Sequence, residues 1–485
     1  MHPLIQEVST AHTPESLVAS LHGVNGVVLL RTSQFDLPSA RYSLVAANPF
    51  LIFRSYGTLC EITHPRKTEA KPEQKFGNPW HLLDALMARH EVLDEIDLPF
   101  PLGGAFGYWG YDLKNFTEPK LPRRAVNDLE LPDCHVGFYD SLVVFDHRLD
   151  RVSVVSTGLG VDGSRTEVRA RAALAGWLAR LGNEPAAPEV SPVAPERTAE
   201  GEELILPPVE VFTRAVARAQ DYIRTGDIYQ VNLSQRLTVR SRMSGWEWFL
   251  RLNAVSPAPF AAYLDGGDFQ IASSSPEQFL CLSGSHIQTR PIKGTRPRGA
   301  DPTQDARLAY ELQTSAKELA ELVMITDLLR NDLGKVCEYG SVQTPDLARL
   351  EKFAQVQHLV STVEGRLRKG LTHFAALAAC FPGGSITGAP KFRAMEIIDE
   401  LEPVSRGPYT GALGYLGFNR ESQLNIVIRT VICRDGRAHF NVGAGIVADS
   451  QPAAEYEETL AKARGFLAAW QGGAEKTVRP PGPEA

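Results

Sequence analysis

The sequence predicts an α+β fold whose strands pair antiparallel, rather than a doubly wound parallel sheet. Two observations carry this. Runs of β-branched and aromatic residues follow one another in groups, separated by Asn, Gly and Pro turns, as hairpins require. Helical segments stand between those groups instead of alternating with single strands, the pattern of parallel units. With 485 residues the chain is long enough for two or three domains or one large composite fold.

In chain order, VNGVVLLRTS and RYSLVAANPFLIF (24–56) read as strands, and WHLLDALMARH (80–90) has helical spacing. PLGGAFGYWGYDL (101–113) is rich in glycine and aromatics, and its glycines permit tight turns or close backbone approach. VGFYDSLVVFDH and RVSVVST form a strand pair, followed by an Ala-rich helix over 165–182. The Pro-, Ala- and Glu-rich stretch at 184–203 reads as an exposed linker, or as a long surface loop inside one domain. The division is then an N-terminal subdomain at 1–183, a linker at 184–204 and a second domain at 205–470.

That second part opens with a helix at 211–227 and the strand IYQVNLSQRLTVR. A hairpin and further strands occupy 259–284, and one long helix runs over 311–336. Residues 370–402 read as helix, Gly-rich turn, helix. Strands return at GALGYLGFN and NIVIRTVICRDGRAHFNVGAGIVA, and a helix at 455–470 precedes a tail, 471–485, with the composition of a disordered end. There is no internal repeat of 20–50 residues.

Composition narrows the class. The net charge is −7 and there is no basic run, so nothing suggests a nucleic-acid surface. Six cysteines are scattered without a C-x-x-C pair, so neither a zinc site nor a secreted disulfide framework is expected; a reduced cytosol fits. No apolar run approaches the ~18 residues of a membrane span, and the first residues lack the pattern of a signal peptide.

Several residues could carry chemistry. Glu318 and Glu321, and again Glu455 and Glu458, are spaced i,i+3 on expected helices, so each pair faces one way. Two such helices brought together suit Mg²⁺, a hard cation that takes oxygen ligands and keeps several waters; exposed helix glutamates are the alternative. The loop FPGGSITGAPK (381–391) opens a helix whose free amides favour anions, or is simply a tight turn; Pro390 excludes a P-loop. The Gly443–Ala444–Gly445 stretch lets backbone amides approach a carboxylate. Arg429 sits within an apolar strand and needs an anionic partner, either a ligand carboxylate or a structural Asp or Glu. Lys293, in PIKGTRPRG, and Glu277, in SSSPEQF, lie across an expected hairpin. They read as nucleophile and acid/base, or as a plain ion pair.

DIYQVNLSQR, SSPEQFL, PIKGTRPRG, KELAELVMITDLLRNDLGKV, FPGGSITGAPK, GALGYLGF, IVIRT and VGAGIV occur in order, and together they resemble the chorismate-utilising enzyme family over residues 205–470. PLGGAFGYWGYD and RYSLVAANPF extend the likeness into the first half. The resemblance implies a large two-sheet antiparallel α/β sandwich with helices outside and a central cleft that binds chorismate, a dianion, with Mg²⁺. It implies Glu321 and Glu458 as metal ligands, with Glu318 and Glu455 close by. Arg429, Tyr409 and the amides of Gly443, Ala444 and Gly445 would hold substrate carboxylates, Thr289 would line the site, Lys462 would add positive charge, and His358 would stand beside the reacting ring.

Family branches differ at single positions. Anthranilate-forming members carry alanine where this chain has Lys293; aminodeoxychorismate-forming members carry lysine, which adds to ring carbon 2 as the 4-hydroxyl leaves, before ammonia adds at carbon 4 and expels it. Glu277 resembles the acid/base that assists departure of the hydroxyl. Water-using members place lysine at Gln230. The resemblance thus implies an enzyme forming 4-amino-4-deoxychorismate for folate synthesis, with ammonia from a separate glutamine amidotransferase subunit. A non-catalytic chorismate-binding subunit is disfavoured because all the expected active-site residues are present. Arg31 and Thr32 replace the Glu and Ser of a tryptophan-binding motif, so tryptophan inhibition is expected to be absent.

Overall fold

The computed structural model describes residues 2–32, 40–67, 71–93, 98–185, 203–352 and 356–472. Most of the expected linker, at 186–202, and the tail beyond 472 lie outside the described residues. Two twelve-stranded sheets hold the molecule together, and every strand pairing within them is antiparallel. The α+β expectation holds.

Both halves of the chain build both sheets. In the first sheet the N-terminal strands Val28–Arg31 and Tyr42–Ala46 continue into Phe260–Asp265, Gln270–Ser275, Thr430–Arg434, Arg437–Ile446 and Gln230–Arg240. In the second, Ile292–Pro297, Val356–Arg366, His286–Arg290, Gln278–Ser283, Glu421–Ile426 and Ala412–Gly417 are followed by Gly104–Trp109, Cys134–Tyr139 and Leu51–Tyr56. The join between Gly104–Trp109 and Ala412–Gly417 depends on glycine. Gly107 pairs with Gly414, and a Cβ on either would run into the carbonyl of the next strand, His135 or Gln423.

The sheets pack face to face through Val28, Leu44, Leu264 and Ile271 of the first against Phe106, Tyr108 and Tyr415 of the second. Helices cover the outer faces. Gly245–Val255 and Pro452–Gln471 bury Trp248, Phe249 and Phe466 on the first sheet, with Trp248 and Phe466 stacked at 5.0 Å between ring centroids. Ala316–Gly334, His373–Cys380 and Lys391–Leu401 lie in the core cluster that includes the second sheet. This is sheet-on-sheet packing with the interior filled from both inner faces.

One expectation is corrected. The single long helix at 311–336 is two, Pro302–Gln313 and Ala316–Gly334. Ser315 breaks the run, because it takes an extended conformation and its hydroxyl accepts the Glu318 amide as an N-cap. The break lets the second helix carry Glu318 and Glu321 in a direction of its own. Among the described residues, no helix is long and apolar enough to cross a membrane.

Candidate active site

Lys293 sits on the Ile292–Pro297 strand opposite Leu359, at a bulge before the Thr295–His358 pair. Gly294 takes the left-handed φ of +67°, and a Cβ there would meet Leu312 and the Glu318 carboxylate. Glycine therefore lets this strand approach the Glu318 turn closely.

Glu277 is buried in the turn between Gln270–Ser275 and Gln278–Ser283. Burial pushes its carboxyl up to about 7, against a hydrogen bond from Ser385 and the positive field of Lys293. Ser385 belongs to the 381–391 loop. Asn232 donates to the Ser385 carbonyl at 2.8 Å, and Lys391 donates to the Pro382 carbonyl at 2.9 Å while pairing with buried Asp332. The Gly-rich loop is thus a held support for Ser385 as well as a turn between helices.

His358 is buried beside this strand. Its Nδ1 lies 2.8 Å from the Thr295 hydroxyl and 3.4 Å from the Gly294 carbonyl. A carbonyl only accepts, which assigns the ring proton to Nδ1. Burial and the charge of Arg429 push the imidazole down to about 4, so it is neutral at pH 7.

Arg429 follows Glu421–Ile426 with a φ of +50°. Its carbonyl accepts from Ser274 at 3.0 Å, but its guanidinium has no carboxylate partner among the described residues, and burial alone lowers its pKa. The structural ion pair that sequence alone left open is not formed there. Gly443, Ala444 and Gly445 lie on Arg437–Ile446 opposite Ser234, Leu233 and Asn232. A Cβ on Gly443 would stand 3.1 Å from the Tyr409 hydroxyl, and one on Gly445 would collide with the Gln230 amide nitrogen. Gln230 is buried, and its Oε1 has no hydrogen-bond partner among the described residues. Thr289 is buried on the adjoining strand opposite Val363.

The four glutamates divide. Burial raises the pKa of Glu321; Lys293 and Lys317 oppose this, and Glu318 and Glu458 add to it. Glu321 therefore lies within the fields of Lys293 and of carboxylates on both helices. Glu318 pairs with Arg296 at 3.5 Å, and Glu458 with Lys462 at 2.7 Å. Lys462 also donates to the Gly443 carbonyl at 2.8 Å, tying the Pro452–Gln471 helix to the glycine strand. Glu455 is buried and accepts from Ser450 at 2.6 Å, so it is engaged in closing the turn before its own helix. Among the described residues, no group of three or more His, Cys, Asp or Glu side chains is placed to hold a metal ion. Two carboxylates, Glu321 and Glu458, with waters completing the shell, fit the habits of Mg²⁺.

Sequence reasoning passed over Ser385, Thr295 and the buried Arg406, whose roles depend on partners far away in the chain. Concavities of about 450 Å³, beside Trp177, and about 760 Å³, beside Arg240 and Arg437, lie apart from all the residues above.

A profile of the chorismate binding enzyme family matches residues 49–468. The anthranilate synthase component 1 of Acetivibrio thermocellus is 38% identical over 472 residues, spanning 96% of this chain and 94% of that protein. The aminodeoxychorismate synthase component 1 of Klebsiella aerogenes is 45% identical over 442 residues, spanning 91% and 92%. The solved structure of anthranilate synthase component I from Streptococcus pneumoniae TIGR4 superposes with a TM-score of 0.77 at 32% identity, covering 88% of this chain and 92% of that one.

Proposed function

The chain belongs to the chorismate-binding enzyme family, and within it we propose that this protein is an aminodeoxychorismate synthase component I. It would convert chorismate and ammonia to 4-amino-4-deoxychorismate and water, a transfer of an amino group, in the cytosol. The observation that carries the reading is Lys293, which lies within the field of buried Glu277 and of Glu321.

In this reading the Lys293 ammonium gives a proton to the Glu277 carboxylate, and the resulting amine adds to ring carbon 2. Both ring double bonds shift along the ring, the carbon 4–oxygen bond breaks, and the hydroxyl leaves as water with the proton held by Glu277. Ammonia then adds at carbon 4, both double bonds return, and the carbon 2–nitrogen bond breaks to free Lys293. A carboxyl with a pKa near 7 is poised to give and take a proton at neutral pH. Glu277, left as a carboxylate, takes the proton of the incoming ammonia, being a stronger base than the His358 imidazole held down to about 4.

Arg429, the Tyr409 hydroxyl and the amides around Gly443–Gly445 hold the two substrate carboxylates, an arrangement suited to a dianion. Glu321 and Glu458 would hold Mg²⁺, which acts as a Lewis acid on the substrate when bound. Gln230 lacks the basicity needed to activate water, which favours ammonia as the nucleophile. A separate glutamine amidotransferase supplies that ammonia, in keeping with the component 1 naming of the relatives.

The second reading is anthranilate synthase component I, favoured by 38% identity to such a protein over 96% of the chain. Products of the purified chain with chorismate, Mg²⁺ and ammonium at alkaline pH separate the two. Fluorescent anthranilate identifies the second reading. p-Aminobenzoate appearing only after a lyase is added identifies the first.

A further inference from the structure

We propose that Arg406 is a positioning residue that sets Tyr409 for its substrate carboxylate, braced by the Tyr111–Asp112 turn from the first half of the chain. The inference rests on the proposed function, in which Tyr409 meets chorismate.

Arg406 is only 4% exposed. All five of its N–H groups are used. Nε donates to Glu402 Oε2 at 2.8 Å, and Nη2 to Glu402 Oε1 at 2.6 Å and to the Asn232 carbonyl at 2.8 Å. Nη1 donates to the Ile386 carbonyl at 3.0 Å and to the Thr410 hydroxyl at 3.2 Å. Each acceptor outside Glu402 lies next to, or in register with, a site residue. Asn232 pairs with Gly445, Ile386 follows Ser385, and Thr410 follows Tyr409.

Glu402 closes the ring. Its Oε1 also accepts from the Ser234 amide at 2.8 Å and the Ser234 hydroxyl at 3.0 Å. Ser234 pairs with Gly443, where a Cβ would stand 3.1 Å from the Tyr409 hydroxyl. One buried guanidinium therefore references Tyr409, the glycine strand and the Ser385 loop to a common point.

The guanidinium meets aromatic rings as well as hydrogen-bond acceptors. It lies 4.7 Å from the Tyr111 ring centroid and 5.9 Å from that of Tyr409. The backbone around Tyr111 grips the same turn, since the Tyr111 amide donates to the Gly407 carbonyl at 2.7 Å and the Gly407 amide to Asp112 Oδ2 at 2.9 Å. This gives the GYWGYD motif of the first half a part in the site.

A buried ion pair is a poor stability device, because desolvation offsets much of the attraction and apolar replacements are often neutral or better. What this pair provides, with each donor not used on Glu402 matched to a group beside or in register with a site residue, is a fixed geometry.

The test compares Tyr111→Leu, Tyr111→Phe and Arg406→Lys with the unmodified protein, by chorismate KM, kcat, equilibrium chorismate binding and Tm. Tyr111→Leu removes the π face and is expected to weaken both KM and Kd about tenfold with kcat nearly unchanged. Tyr111→Phe keeps the ring and should restore both. Arg406→Lys keeps the charge without the fork and should weaken binding further. Unfolding of the lysine variant leaves the two Tyr111 variants to decide. Unmodified protein that binds chorismate, with Tyr111→Leu binding it equally well, overturns the brace alone. An unmodified protein that does not bind chorismate overturns the functional reading beneath it.

Discussion

The Lys293 ammonium lowers the proton affinity of the Glu277 carboxyl, against a burial that raises it to about 7. The folded value lies above the ordinary 4.5, so the folded state holds this proton more tightly than the unfolded chain. The associated stability is fully present below about 4.5 and is lost as pH rises through about 7. Unmodified protein should therefore lose up to about 3 kcal/mol between pH 5 and 8 that Glu277→Gln does not lose. Urea midpoints of both proteins at both pH values measure the difference; equal losses would place Glu277 in a solvated setting. As a general acid it acts protonated, so kcat should fall above about pH 7.

Arg429 has a lowered pKa and no carboxylate partner among the described residues. Arg429→Met should reduce kcat/KM at least about 100-fold, as loss of a charge-assisted bidentate contact would. Stability should hold or rise, since an uncompensated buried charge is removed. A drop of several kcal/mol in unfolding free energy, with kcat/KM intact, would assign Arg429 to the scaffold.

The glutamates are expected to differ within one helix. Glu458→Gln and Glu321→Gln should each lower apparent Mg²⁺ affinity tenfold or more, with Tm little changed because Glu458 is exposed and Glu321 half-buried. Glu455→Gln keeps an acceptor for Ser450 and should leave Mg²⁺ affinity within about threefold. Titration calorimetry with Mg²⁺ reads all three. Equal effects at Glu455 and Glu458 would count against the division.

Glutamine should support amination only when a separate amidotransferase is present, with ammonium replacing both at high pH. Glutamine consumption by the purified chain alone would contradict this. Tryptophan should not inhibit: Arg31 is paired with Glu15 at 2.6 Å, which puts a cation where the family motif has an acid.

Much of this architecture is legible locally. The alternating Gln230–Arg240 strand shows its buried face directly, and the hairpins at 260–275 and 430–446 carry turn residues between β-branched runs. The break at Ser315 is not, because apolar periodicity continues across it and one capping hydroxyl decides the outcome. The helix Gly245–Val255 announces itself only by the capping box of Ser244 and Glu247. The site divides in the same way. Lys293, Glu277 and His358 stand in long motifs, whereas the role of Arg406 depends on Asn232, Ile386 and Glu402 meeting in space, information that no local window contains.

The central claim is that Lys293 is the nucleophile, and the rate of aminodeoxychorismate formation by Lys293→Ala, with saturating ammonium and Mg²⁺, tests it most directly. The substitution leaves Arg429, Tyr409 and the glutamates in place, so chorismate should still bind. The account predicts loss of aminodeoxychorismate formation by at least about three orders of magnitude, as expected when a covalent route is removed. Some anthranilate should appear as ammonia reaches carbon 2 in the emptied space. Aminodeoxychorismate formed by this variant at close to the unmodified rate would contradict the covalent mechanism.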